Sequence, residues 1–263
     1  MSFNIFSNTV SKHQIKDLLT WFHTIDEYSD DRPDCYSKEP SWNNDNNWPK
    51  DIIKNIIDKC LPYTYEVEKI IFMHQKTNTF RVHVDTGDGN QDRIDKNILI
   101  PLDSDGEGTT VIFDNKWYGP STRFTKKEIS PFYYKLPLKN GSTEEVSDIR
   151  NIKNIEDFDI TQKQLDDLIR VRSLNTGKGA PDKNRNGDYT KIENYNPNLK
   201  FDTSIHKKYL NHIDIESLHG LQVKQVYSWK LGDVAVWDRQ YIHTAGSTHD
   251  QKIGIAIFTN RNI

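Results

Sequence analysis

The stretch Phe80-Arg81-Val82-His83-Val84-Asp85-Thr86-Gly87 decides how the rest of the chain is read. Apolar and polar residues alternate, and the run ends in turn chemistry, which is the pattern of a half-buried strand. Successive side chains of a strand point to opposite faces. Phe80, Val82 and Val84 therefore share one face, and Arg81, His83 and Asp85 share the other. An imidazole and a carboxylate two residues apart on one face can hold a metal ion together, but they need a third ligand. The best candidate is His243, within Asp238-Arg239-Gln240-Tyr241-Ile242-His243-Thr244-Ala245-Gly246.

Outward from this stretch, strand signals fall at residues 67–74, 97–102 and 109–114, with Asp103-Ser104-Asp105-Gly106-Glu107-Gly108 as a turn between the last two. They return at 222–229, 233–237, 241–245 and 252–259, punctuated by Gly. Short strands with Gly and Asp turns predict an antiparallel sandwich or barrel. Two helices are expected before the strands. Residues 10–25 place Val10, Ile15, Leu18, Leu19 and Phe22 on one face with Ser11 as N-cap. Residues 49–61 start at Pro49 and carry Ile52, Ile53, Ile56 and Ile57. The region 119–221 is polar and poor in strand signals. It includes a helix from Thr161, with a Thr161/Gln164 capping box, and a helical signal at 203–212. Residues 175–200 form a long loop of Gly, Asn, Asp, Lys and Pro, the profile of a lid, a binding loop or a disordered segment. The expectation is one domain over 1–263: a helical part (1–62), a β core (63–118 and 222–260) and an insert or lid (119–221).

The totals narrow the function classes. The chain has 263 residues, 35% apolar and 11% aromatic, enough for a core and against disorder throughout. A net charge of −3 with no basic run argues against nucleic-acid binding. Two cysteines, Cys35 and Cys60, without a CxxC, argue against a disulfide framework or a Cys-rich zinc site. No signal-peptide core and no apolar run near ~20 residues is present, so the reading is a soluble, cytoplasmic protein that does not enter a membrane.

A lone His-x-Asp is expected about once by chance in a chain with nine His. A second match, His212-Ile213-Asp214, sits in a region readable as helix or strand, only 31 residues before His243. The first pair has the better context, because it ends a strand and precedes a strand pair.

In four pieces the sequence resembles the Fe(II)/2-oxoglutarate-dependent dioxygenases. His83-Val84-Asp85 resembles the family's His-x-Asp. Ile98-Leu99-Ile100-Pro101-Leu102 with Gly108-Thr109-Thr110-Val111-Ile112-Phe113 resembles its next two strands. Gly232 to His243 resembles the pair carrying the distal His, and Lys252-Ile253-Gly254 is similar to its Arg-x-Ser motif. These motifs cover roughly a third of the chain. The resemblance implies a mainly β fold, a double-stranded β-helix of the jelly-roll or cupin-like kind. It also implies Fe(II) held by His83, Asp85 and His243, a donor set that leaves open positions on the metal. It further implies 2-oxoglutarate, O2 and hydroxylation of a C–H bond in a small molecule, amino acid or peptide. Asp85 stands where halogenating members have a small residue. The departure is Lys252, where Arg is commoner; some branches, prolyl 4-hydroxylases among them, use Lys, which offers a point charge in place of a two-pronged clamp. Lys252, Gly254, Ala256 and Phe258 share one strand face, short-chained beside a cation and roomy enough for a small dicarboxylate. Arg81 and Arg261 are the other candidate carboxylate partners, and Arg81 is the candidate substrate contact.

Two further readings stay open at this point. One is a cupin-like isomerase or ligand-binding protein that keeps the metal ligands without 2-oxoglutarate. The other is calcium binding at Asp182 to Glu193, which fits the EF-hand loop pattern but carries Lys183, Arg185 and Lys191 against a cation.

Overall fold

The computed structural model describes residues 3–24, 30–32, 35–43, 47–75, 81–104, 108–124, 134–146, 152, 154–165, 188–246 and 251–262. Phe80, the end of the helix that begins after Thr161, residues 182–187 of the candidate calcium loop and His249 lie outside them. The chain divides into two compact units, Met1–Phe124 with Gly187–Ile263, and Thr125–Asn186.

The larger unit is built on two antiparallel sheets. The first contains β1 (Phe3–Phe6), β2 (Asp30–Arg32), β3 (Cys35–Lys38), β4 (Tyr65–Gln75), β6 (Ile94–Ser104), β12 (Val234–Asp238) and β14 (Lys252–Arg261), in the order β1-β12-β6-β14-β4-β3-β2. The second contains β5 (His83–Val84), β7 (Thr109–Lys116), β8 (Thr122–Arg123), β11 (Val223–Ser228) and β13 (Tyr241–Ala245), in the order β11-β7-β13-β5-β8. Followed along the chain, β4, β6, β12 and β14 belong to the first sheet and β5, β7, β11 and β13 to the second. Every step among these eight crosses between sheets except β7 to β11. That winding is a double-stranded β-helix.

Side-chain alternation sorts the core into layers. Ile98, Ile100, Leu102, Val234, Val236, Ile253, Ile255 and Ile257 face helices α1 (Lys12–Thr24) and α2 (Lys50–Cys60), where they meet Leu18, Phe22, Ile53, Ile56 and Ile57. The opposite face of the same strands sends Leu99, Ala235 and Trp237 against Ile112, Tyr227 and Tyr241 of the second sheet. The far face of the second sheet packs Val82, Val84, Val111, Phe113 and Ile242 against Ile192, Phe201, Leu210, Leu218 and Leu221. Residues 187–221, polar enough in sequence to be grouped with the insert, thus belong to the larger unit and include α3 (Thr203–Tyr209), capped by Asp202. β14 is covered on both faces, so its sequence reads as a continuous apolar run.

Both N-terminal helices start near where their signals place them. Ser11 and Gln14 form a reciprocal capping box (Gln14 N to Ser11 Oγ 3.2 Å, Ser11 N to Gln14 Oε1 2.9 Å). The smaller unit contains a hairpin, β9 (Tyr134–Pro137) with β10 (Thr143–Val146), and a small cluster of Leu136, Phe158 and Leu165. Thr161 and Gln164 make the expected capping box there.

Candidate metal centre

β5 and β13 pair antiparallel with His83 directly opposite His243. Residues directly opposite share a face, so two histidines 160 positions apart in sequence stand side by side. Their ring centroids are 4.4 Å apart. Asp85, two residues past His83, lies on the same face. Its Oδ2 is 3.0 Å from His243 Nε2 and 3.7 Å from His83 Nε2. The three ligand atoms lie within 4.8 Å of one another, and among the described residues no other His, Cys, Asp or Glu group of three or more converges this way.

The hydrogens of the two rings are committed elsewhere. His83 Nδ1 is 2.7 Å from the Arg81 carbonyl oxygen, and His243 Nδ1 is 3.0 Å from the Tyr241 carbonyl oxygen. A carbonyl only accepts, so each Nδ1 carries a proton, which leaves each Nε2 as the ring nitrogen available to a metal. Burial, then the neighbouring His243, push His83 down to about 4, which keeps it neutral near pH 7. Burial alone would raise the Asp85 carboxyl, but His83, His243 and Arg239 together hold it well below the usual carboxylate range. Two imidazole Nε2 atoms and a carboxylate this close together can share one cation. The donor set therefore fits a divalent metal, and two nitrogens with one carboxylate suit iron with positions left open.

The support around Asp85 was not legible in sequence. Arg239 is 1% exposed, and its Nε donates to the Asp85 carbonyl at 2.7 Å. Its Nη1 reaches Glu68 Oε2 (2.7 Å), Asn260 Oδ1 (2.9 Å) and the Thr259 carbonyl (3.2 Å). This one side chain ties the turn after β5 to β4 and β14. Gly87 follows in the left-handed region (φ 63°), and a Cβ there would lie 2.7 Å from Glu68 Oε1. Asn97, from β6, donates through Nδ2 to Asp85 Oδ2 at 3.2 Å. An arginine next to the distal-His strand and an asparagine in an apolar strand were the available signals.

Lys252 lies at the start of β14, 2% exposed. Its Nζ donates to the Thr109 carbonyl at 3.3 Å and stands 4.6 Å from the centre of the Trp229 ring. Among the described residues no carboxylate pairs with it, and burial pushes its amine down to about 7. The face beside it is short-chained, as its sequence reads, but part of that room is filled: a Cβ on Gly254 would lie 2.8 Å from Trp229 Cη2. On β7, His243 stands opposite Ile112, and Lys252 reaches Thr109. Three residues of strand separate those levels, about 10 Å.

The remaining expected residues are placed as follows. Arg81 is half-buried on the ligand face, and Arg123, on β8, stands opposite His83. Arg261 is exposed at the far end of β14, 3.6 Å from Asp95. Asp214 accepts from Glu216 N at 3.1 Å and caps a short 3-10 turn, away from His243. At the end of the candidate calcium loop, the Glu193 carboxylate accepts from the Tyr118 hydroxyl, and Tyr189–Lys191 form a 3-10 turn. Among the described residues no helix is long and apolar enough to cross a membrane.

No protein-family model matches the sequence, and no curated protein matches it. Solved structures do. An oxidoreductase of the 2OG-Fe(II) oxygenase family from Burkholderia pseudomallei is 9% identical over 99% of this chain and 85% of its own, with a TM-score of 0.41. A Pseudomonas putida prolyl-4-hydroxylase is 9% identical over 100% and 94%, with a TM-score of 0.44. HygX from Streptomyces hygroscopicus, solved with nickel and 2-oxoglutarate, is 7% identical over 100% and 84%, with a TM-score of 0.47. Many of the matching structures belong to the Fe(II)/2-oxoglutarate oxygenases, all at low identity. The strand order and the geometry of the three side chains stand without these likenesses. In fold, the chain is a double-stranded β-helix, similar to the 2-oxoglutarate- and Fe(II)-dependent oxygenases.

Proposed function

We propose that this protein is an Fe(II)- and 2-oxoglutarate-dependent dioxygenase that hydroxylates a C–H bond of a small molecule, amino acid or peptide. The observation that carries the reading is the convergence of His83, Asp85 and His243 within 4.8 Å, with both ring Nδ1 hydrogens spent on backbone carbonyls. When bound, iron with 2-oxoglutarate and O2 supplies the oxidation: 2-oxoglutarate becomes succinate and CO2, and one oxygen atom enters the substrate.

The chain's own residues do the positioning. His83 and His243 offer fixed Nε2 lone pairs, and Asp85 offers a carboxylate held by Asn97. Lys252 meets the far carboxylate of 2-oxoglutarate. A buried amine with no carboxylate partner among the described residues is stabilised by an arriving anion, and that anion restores its proton. Arg81, on the same face as the ligands, contacts the substrate.

The test is anaerobic titration of the metal-free protein with Fe(II) and 2-oxoglutarate. The expected result is a metal-to-ligand charge-transfer band and, on admitting oxygen, slow succinate release. Both vanish in His243→Ala. A wild-type protein that gives neither band nor succinate would sink the proposal.

A further inference from the structure

Two buried polar atoms beside the metal centre have no hydrogen-bond partner: Asn97 Oδ1, an acceptor, and Trp237 Nε1, a donor. Both residues are 2% exposed. Such groups are rare, and each destabilises the fold while it stays unpaired. These two are complementary, and they are neighbours. Trp237 on β12 pairs directly with Asn97 on β6, so both side chains leave the sheet on one face with Cβ atoms about 5 Å apart. That face is the interior, where Trp237 meets the His243 ring edge-on (5.3 Å, 70°) and Asn97 Nδ2 holds Asp85 Oδ2. The amide cannot be turned round to relieve the mismatch, because its oxygen would then face the carboxylate.

We propose that in the metal-loaded protein Trp237 Nε1 donates to Asn97 Oδ1, directly or across one water, and that Asn97 is thereby the positioning residue for the Asp85 carboxylate. The chain of donors runs from indole to amide to carboxylate to metal. Each bond polarises the next, and the amide is fixed at both ends. The indole N–H acts on the metal through Asn97, while the indole ring itself packs against His243. This rests on His83, Asp85 and His243 being the metal ligands.

The test is Co(II) binding to the metal-free protein, followed by visible absorption, with thermal unfolding of the same samples. Asn97→Leu keeps the volume and removes both polar ends. Its Co(II) affinity is expected to fall by about 10–100-fold, while the metal-free protein melts near the wild-type temperature, because removing the unpaired Oδ1 offsets the lost bond to Asp85. Trp237→Phe removes the N–H together with part of the ring and is expected to weaken binding by a smaller factor, about threefold to tenfold. The double variant binds no worse than Asn97→Leu. The inference fails if Asn97→Leu binds Co(II) like the wild type, or if the two losses multiply. If the wild type and His243→Ala bind Co(II) equally poorly, the metal centre itself is wrong, a different failure.

Discussion

The chain contains the tripeptide His-x-Asp twice, and the two copies have different fates. In His83-Val84-Asp85 the central valine is buried and the polar pair faces the barrel interior, opposite His243. In His212-Ile213-Asp214 the chain is turning between α3 and a 3-10 segment. There the Asp214 carboxylate is spent on the Glu216 backbone N–H, while the Ile213 carbonyl lies 2.8 Å from His206 Nε2. A carboxylate that satisfies its own backbone ends a turn. One that faces imidazole lone pairs, with its own backbone carbonyl held by a buried arginine, is available to a cation. The motif is the same; the backbone beneath it decides its chemistry.

The comparison can be broken most directly at its strongest point. On the proposed function, Asp85→Ala or His243→Ala is expected to lower 2-oxoglutarate turnover, read as succinate release, by more than the about 10–100-fold that losing an outer-shell partner costs, since a site with a missing ligand loses both affinity and geometry. His212→Ala is expected to leave turnover near wild type. An equal loss at both places would erase the distinction drawn here.

Next in size is Arg239. Replacing it with Met strands the Asp85 and Thr259 carbonyls and the Glu68 carboxylate. Glu68 is 36% exposed and recovers some hydration, so the expected loss is about 2–4 kcal/mol by urea unfolding, at the lower end of what breaking a buried pair costs. Metal affinity should fall with it.

Lys252 gives a pH signature. Burial pushes its folded-state amine down to about 7, and the protonated form is the one that receives a carboxylate. On the proposed function, affinity for 2-oxoglutarate is therefore expected to be flat below about pH 7 and to weaken by about tenfold per unit above it, which calorimetry in the presence of Mn(II) would check. Lys252→Arg, always charged, should remove the slope.

The smallest effect sharpens the comparison from the other side. Asp214→Ala removes a cap and is expected to cost about 1 kcal/mol of stability with no change in metal affinity. Unchanged stability would mean that the cap is idle.

Much of the β core was legible because its signals are local. The alternation from Arg81 to Asp85 named the ligand face. The split of β14 into isoleucines on one side and Lys252, Gly254 and Ala256 on the other matches the layers found. What sequence left unread is what depends on distant partners. β1 is four residues long and exists by pairing with β12, more than 220 positions away. β3 lies between the two expected helices, where no strand signal falls, and pairs with β4. Residues 187–221 looked like an insert because their apolar residues are sparse, yet Ile192, Phe201, Leu210, Leu218 and Leu221 all reach the second sheet. Asn97 and Arg239 carry no periodicity that marks them. Their roles appear only when β6, β12 and the turn after β5 are brought together.

β5 is only two residues long, and a strand that short normally frays. Here Arg239 fastens the turn that follows it to β4 and β14. The amide of His83, which lies in the pairing with His243, is therefore expected to exchange its hydrogen with solvent only when the whole barrel opens. β5, by length among the least secure pieces of the second sheet, would then be among the slowest to exchange, so that His83, Asp85 and His243 stand preassembled and would need no folding step to take up a cation.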